Sequence, residues 1–176
     1  EAHCDRTRVI ANKEEEEEME KLLVVLLALC VVPAIVSADP LLLKGYFYCD
    51  TCLCGYETKA SKALAGAVGK IECAKRSDST HVTYRKEFVT KSDGTYEVLI
   101  DGDRGDDVCN VMAVKSVDSE CVKPSLGRDQ ARVILTRNNG MSSNARFANA
   151  IGFDRWTPLD TCGEILKQYE ETETDV

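Results

Sequence analysis

Seven of the nine cysteines lie after Asp39, at Cys49, Cys52, Cys54, Cys73, Cys109, Cys121 and Cys162. Their spacing discriminates among the three kinds of chemistry that thiols do: metal ligation, redox exchange and cross-linking. A structural zinc site takes four ligands in two close pairs. Cys49-x-x-Cys52-x-Cys54 supplies one pair, but His81 is the only histidine in this part and no second Cys-x-x-Cys exists. A redox pair of the thioredoxin type sits where a strand enters a helix of an α/β chain, and the residues around Cys49 read as β. Structural bridges remain. Three bridges of about 2–4 kcal/mol each would match the net stability of an ordinary domain. Seven is odd, so one thiol is left over, either free and buried or joined to a second chain.

Nothing else in the chain assembles a reaction centre, and no catalytic, cofactor-binding or metal-ligating residues are expected. A hydrolytic triad needs a histidine base, and His81, on a strand flank beside Thr80, reads as a satisfied or solvent-exposed side chain. Glycine-rich phosphate loops, His-Glu-x-x-His and nucleophile elbows are absent from the sequence. Asp101, Asp103, Asp106 and Asp107 suggest calcium, but an EF-hand needs glycine at position 6 and glutamate at position 12 of its loop. Here those positions hold Asp106 and Met112, so a solvated hairpin loop is expected. Arg104-Gly105-Asp106 spells an adhesion tripeptide, which is too short to carry meaning alone. No Asn-x-Ser/Thr sequon follows Asp39.

The elements that must position these cysteines begin after a distinct leader. Residues 22–32 are uninterruptedly apolar, and Ala34-Ile35-Val36-Ser37-Ala38 closes the run with small residues. This predicts a signal peptide, residues 19–38, cut after Ala38. A membrane anchor needs roughly 20 apolar residues, and this stretch is shorter and holds Pro33. The acidic run Glu14–Glu18 abuts Met19 and opposes a positive leader end. Residues 1–18 therefore read as translated upstream sequence or an acidic disordered extension, with Met19 as initiator. The 30 acidic and 22 basic residues fall to 22 and 18 once the eight acidic and four basic side chains of residues 1–38 are set aside. A domain that acidic, with scattered basic residues, offers no nucleic-acid surface.

Residues 39–169 read as one domain, and 170–176 as an acidic tail. Strands are expected at 41–48, an apolar and aromatic run, and at 67–73, 81–90, 96–100, 108–114, 131–136 and 147–153, with period-two alternation explicit in 67–73, 81–90 and 96–100. Lys86 breaks the apolar face of the third. Ser92-Asp93-Gly94 and Arg137-Asn138-Asn139-Gly140 are turn signals, the first making 81–100 a hairpin. Thr157-Pro158 opens a short helix over 158–169. The fold class is mainly β, an antiparallel sandwich or barrel of six or seven strands with a C-terminal helix.

One stretch is more specific. Gly45-Tyr46-Phe47-Tyr48-Cys49-Asp50-Thr51-Cys52, then Gly55-Tyr56-Glu57-Thr58, resembles the signature of the plant pollen allergen family typified by the olive pollen major allergen, the Ole e I/extensin-like family. The likeness continues in order through Ile71-Glu72-Cys73, Asp107-Val108-Cys109, Ser119-Glu120-Cys121, Asp129–Val133, Leu135–Gly140, Ala148–Phe153, Pro158-Leu159 and Cys162. The chain departs from that signature at Phe47 for valine, Leu53 for arginine and Cys54 for a small residue.

The resemblance implies three disulfides, Cys49–Cys121, Cys52–Cys162 and Cys73–Cys109, and leaves Cys54 unpaired; spacing alone cannot choose among 15 connectivities. It further implies a secreted, non-enzymatic protein of the apoplast or cell wall, acting in pollen germination or pollen-tube growth. The partner it implies is an extracellular protein such as a cell-surface receptor kinase, met as a monomer without stable membrane insertion. Competing readings are a wall structural protein, disfavoured by only four prolines, and a secreted inhibitor presenting the 101–107 loop.

Overall fold

A computed structural model describes residues 40–170; the leader, the segment before it and the tail beyond Glu170 lie outside the described residues. Ten strands and one helix follow in order: β1 Leu41–Asp50, β2 Lys62–Ala63, β3 Val68–Lys75, β4 Asp78–Val89, β5 Thr95–Ile100, β6 Asp107–Lys115, β7 Cys121–Pro124, β8 Gln130–Val133, β9 Ala145–Phe147, β10 Ile151–Arg155 and α1 Cys162–Glu170. Beyond the strands anticipated from the sequence, the structure adds β2 and β7, of two and four residues. No described helix is long and apolar enough to cross a membrane.

The strands form two sheets. The four-stranded sheet runs β4-β3-β6-β8, all antiparallel. The other is organised by β1. Its first half lies between β5, antiparallel, and β9, parallel; its second half lies between β2 and β10, with β7 beyond β10. β9 and β10 run parallel to β1, so the sheet is antiparallel-rich rather than uniformly antiparallel. Ala148–Ala150 break what the sequence reads as one strand at 147–153.

Alternation along β1 sends Leu41, Leu43 and Phe47 into the core, where they meet Ile71 and Val111 of the facing sheet and Tyr96, Ile100 and Phe153. Phe47 sits among Phe88, Tyr96 and Phe153 at centroid distances of 5.8, 5.7 and 6.0 Å. Gly69 makes room for this cluster, because a Cβ there would lie 2.6 Å from Phe47 Cζ and collide with Phe88.

The hairpin expected over 81–100 does not form. β4 instead pairs with β3 through the tight turn at Arg76-Ser77, while β5 pairs with β1 in the other sheet. The bend at Lys91–Gly94 is real, with Gly94 at φ 76°, but it carries the chain between sheets. Phe47 N donates to Gly94 O at 2.9 Å, and Thr90 Oγ1 donates to Leu64 O at 2.6 Å, so the bend is docked on β1 and its neighbour. Lys86, the break in the apolar face, reaches across to donate to Leu99 O at 2.9 Å. Its ammonium thereby caps a carbonyl of β5.

Candidate functional site

The densest chemistry lies where β1 and β10 end side by side, with Asp50 opposite Asp154 in parallel register. Two bridges converge there. Cys49, in β1, is joined to Cys121 at the start of β7 (Cα–Cα 5.7 Å). Cys52, just beyond β1, is joined to Cys162, the first residue of α1 (5.4 Å). The third bridge, Cys73–Cys109, links β3 and β6 in the other sheet (4.0 Å). α1 begins later than its sequence signals suggest: Leu159 N donates to Thr51 O at 3.1 Å, and Cys162 N closes a tight turn on Leu159 O, so no i→i−4 bond forms to Pro158 O. Cys162 N and Ile165 N then donate to the carbonyls of Leu159 and Thr161, and the helix follows.

Asp50 organises the loop from within. Its side chain is fully buried, and its two oxygens accept from Cys52 N at 3.1 Å and Gly55 N at 2.7 Å. Thr51 Oγ1 donates to Ala60 O at 2.9 Å, and Arg128 Nε donates to Gly55 O at 2.7 Å. Between these anchors Leu53 adopts φ 55°. A bulky residue in the left-handed region is an outlier that persists only where its surroundings over-determine it. Leu53 is also 41% exposed, so the strained position holds an apolar side chain out to solvent. Tyr56 packs edge-on against Tyr169 of α1 at 5.8 Å, and Lys59 Nζ donates to Gln168 Oε1 at 3.1 Å. Sequence reasoning passed over Asp50, although Asp followed by N–H groups two and more residues on is the Asx-turn signal.

Cys54 carries no bridge and is half-buried. Its Sγ donates to Tyr56 O at 3.3 Å and lies 3.7 Å from Asp50 Oδ1. Burial pushes the thiol up, the Tyr56 contact opposes this in part, and the charge of Asp50 reinforces it. Cys54 is therefore held as a thiol, the poorly nucleophilic form. Burial, with Asp50 adding, also raises the Tyr48 phenol.

The other sequence candidates lie elsewhere. His81 is exposed on β4. Asp103 accepts three hydrogen bonds, from Gly105 N (2.9 Å), Thr136 Oγ1 (3.0 Å) and Arg137 N (2.8 Å). These hold its carboxyl below the usual range, the Arg137 N–H most of all. The 101–107 segment is consequently an ordered crossing between β5 and β6, in different sheets, and not a hairpin loop. Arg104 folds back over the Tyr84 ring, 4.6 Å from its centroid, and donates to Asp101 O, so the Arg-Gly-Asp tripeptide is not splayed outward. Among the described residues no cluster of three or more metal-ligating side chains occurs.

Residues 39–170 match the family model described as "Pollen protein Ole e 1 like". The chain is 39% identical over 150 residues to pollen allergen Che a 1 of Chenopodium album, covering 81% of this chain and 89% of that one. It is 40% identical over 153 residues to protein DOWNSTREAM OF FLC of Arabidopsis thaliana, covering 84% and 90%. The crystal structure of the major plantain pollen allergen Pla l 1 superposes with a TM-score of 0.60 at 25% identity, covering 69% of this chain and 98% of that one.

Proposed function

Because the chain belongs to the Ole e 1-like family of pollen proteins, we propose that it is a secreted, non-enzymatic factor that binds another protein outside the cell, in pollen germination or pollen-tube growth. The observation that carries this reading is the covalently closed pole around Asp50. Two bridges, a buried carboxylate and Arg128 fix a short loop that presents Leu53. Fixing a contact residue before binding removes much of the ordering cost of association, and an apolar anchor on a rigid support is how interface hot spots are built.

The same framework supports an extracellular home. Bridges persist where the surroundings are oxidising, and the apolar leader at 19–38, cut after Ala38, would deliver the domain there. In the secreted protein Cys49–Cys121, Cys52–Cys162 and Cys73–Cys109 form the framework and Cys54 stays reduced. The partner proposed is the ectodomain of a cell-surface protein such as a receptor kinase, met by a monomer in the apoplast.

The test is crosslinking of the purified protein to pollen-tube surface extracts, with mass spectrometry of the adducts. Specific capture of an ectodomain, lost in Leu53→Asp, is the expected result. Recovery of wall polysaccharide alone, or capture indifferent to Leu53→Asp, overturns the reading.

A further inference from the structure

A second site lies on the outer face of the β5-β1-β9 sheet, away from the bridged pole. Lys44 and Tyr46 point out of this face because their neighbours Leu43 and Phe47 point into the core. Lys44 stands in register with Glu97 of β5 and with Phe147 of β9, and Tyr46 with Thr95. With Gly45 and Tyr96 these residues line a groove of about 300 Å³, at the small end of the range of about 300–1,000 Å³ typical of ligand sites.

Its chemistry is two-sided. One wall is aromatic: Phe147 is 70% exposed, with Tyr46 beside it in the groove. The other is ionic: Glu97 Oε1 meets Lys44 Nζ at 2.8 Å and Oε2 meets Lys91 Nζ at 2.7 Å. The strand that carries the exposed ring is pinned. Arg146, beside Phe147, is 3% exposed and donates to Ser143 O, Ala145 O, Thr136 O and Asn139 Oδ1. Ala148 N donates to Lys44 O at 2.9 Å. A large apolar ring displayed on a pinned strand, beside fixed donors and an acceptor, is the arrangement of a binding surface rather than of a solvated loop.

The charges decide what it fits. The lining carries Lys44 and Glu97, and Lys91 pairs with the second Glu97 oxygen, so the groove has both signs and little net charge. An anionic ligand meets Glu97, and a cation meets the lysines. A neutral sugar meets neither obstacle: its ring presents C–H groups to an aromatic face, while its vicinal hydroxyls both donate to a carboxylate and accept from an ammonium. We propose that this groove binds a neutral oligosaccharide, one pyranose ring stacking on Phe147 while its hydroxyls bridge Lys44 and Glu97. This site goes beyond the extracellular protein-binding role, which Leu53 variants test separately.

The experiment titrates the purified, fully bridged protein with cellohexaose and laminarihexaose, with trigalacturonate as the anionic comparator, followed by calorimetry and backbone NMR shifts. Saturable binding of a neutral hexasaccharide is expected, with shifts at Lys44, Tyr46, Glu97 and Phe147. Phe147→Ala should weaken it about tenfold, Phe147→Trp should retain it, and Leu126→Ala, an exposed loop change, should leave it unaltered. Thermal midpoints guard against unfolding, and Phe147→Trp separates a stacking role from packing. Absence of saturation at millimolar sugar overturns the proposal. So does binding indifferent to Phe147→Ala, or binding of trigalacturonate alone that salt abolishes.

Discussion

Asp50→Ala gives the most direct test of how the bridged pole is held. The carboxylate is fully buried and receives two backbone N–H groups, those of Cys52 and Gly55. A hydrogen bond to a charged group contributes about 1.5–3 kcal/mol, and a buried donor left without a partner costs a similar amount. Gly55 is only part-buried, so water can replace that half. The expected cost is about 3 kcal/mol for Asp50→Ala, and about half that for Asp50→Asn, whose amide oxygen can keep one of the two bonds. The assay is urea unfolding with the bridges intact, followed by far-ultraviolet circular dichroism. The midpoint should fall at unchanged slope, the mark of a stability change without a change in exposed surface. A companion substitution runs the other way. Leu53→Gly removes a left-handed strain of about 1–2 kcal/mol, offset in part by the greater freedom of glycine when unfolded, and should be neutral to mildly stabilising. If Asp50→Ala lies within about 0.5 kcal/mol of the wild type, the carboxylate is not what fixes the loop and the reasoning fails.

Three further outcomes follow from the same structure. Removing Cys52–Cys162, which closes 110 residues, should cost about 4.7 kcal/mol on chain-entropy grounds, and removing Cys73–Cys109, which closes 36, nearly 1 kcal/mol less; paired alanine variants compared by denaturant midpoint would contradict this if the order reversed. Glu97 is held down to about 2 from its ordinary 4.5 by its hydrogen bonds to Lys44 and Lys91. Its contribution is therefore whole above pH 4.5 and lost as pH falls through 2, so Glu97→Gln should flatten the stability profile across that window, an effect that high salt diminishes. Gly69→Ala should destabilise by about 1–3 kcal/mol through overpacking, and by less in a Phe47→Val background, where the double-mutant cycle should give a coupling of order 1 kcal/mol.

What was legible in the sequence was whatever alternation and cysteine order express. β3 and β5 alternate with period two, and the pattern names their inward residues, Ile71 and Cys73 in β3 and Tyr96, Val98 and Ile100 in β5, while β1 was legible as an apolar and aromatic run. Pairing was not legible from the same signals. Ser92-Asp93-Gly94 announces a bend correctly, but a bend does not say which sheet the chain enters next. That is decided by Gly94 O and Thr90 Oγ1 finding partners on Phe47 and Leu64, some 26 or more residues away in sequence. The tight turn at Arg76-Ser77 has neither glycine nor asparagine, so the hairpin that does form gave no local sign. The helix start was displaced because Cys162 N bonds Leu159 O in a tight turn instead of reaching Pro158 O, which nothing in the local sequence announces.

The extra cysteine shows how the pole's parts depend on one another. A thiolate beside two disulfides is a hazard, since thiolates attack bridges and exchange them. Cys54 stands two residues from Cys52 and five from Cys49, so a reactive sulfur there would endanger the framework that closes the loop. The structure restrains it by partial burial and by the nearby charge of Asp50, against which the Tyr56 contact acts in part. Asp50 thus has two effects: it fixes the backbone that carries Leu53, and it opposes ionisation of Cys54. Asp50→Asn should expose the second effect even where the fold survives, because removing the charge lowers the thiol's pKa and raises its thiolate fraction. Alkylation of Cys54 by iodoacetamide near neutral pH, read by mass spectrometry, should quicken in this variant, and scrambled bridges should accumulate on warming. An unchanged alkylation rate would mean that burial alone restrains the sulfur, and that the departure at Cys54 from the signature this chain resembles is independent of the carboxylate four residues before it.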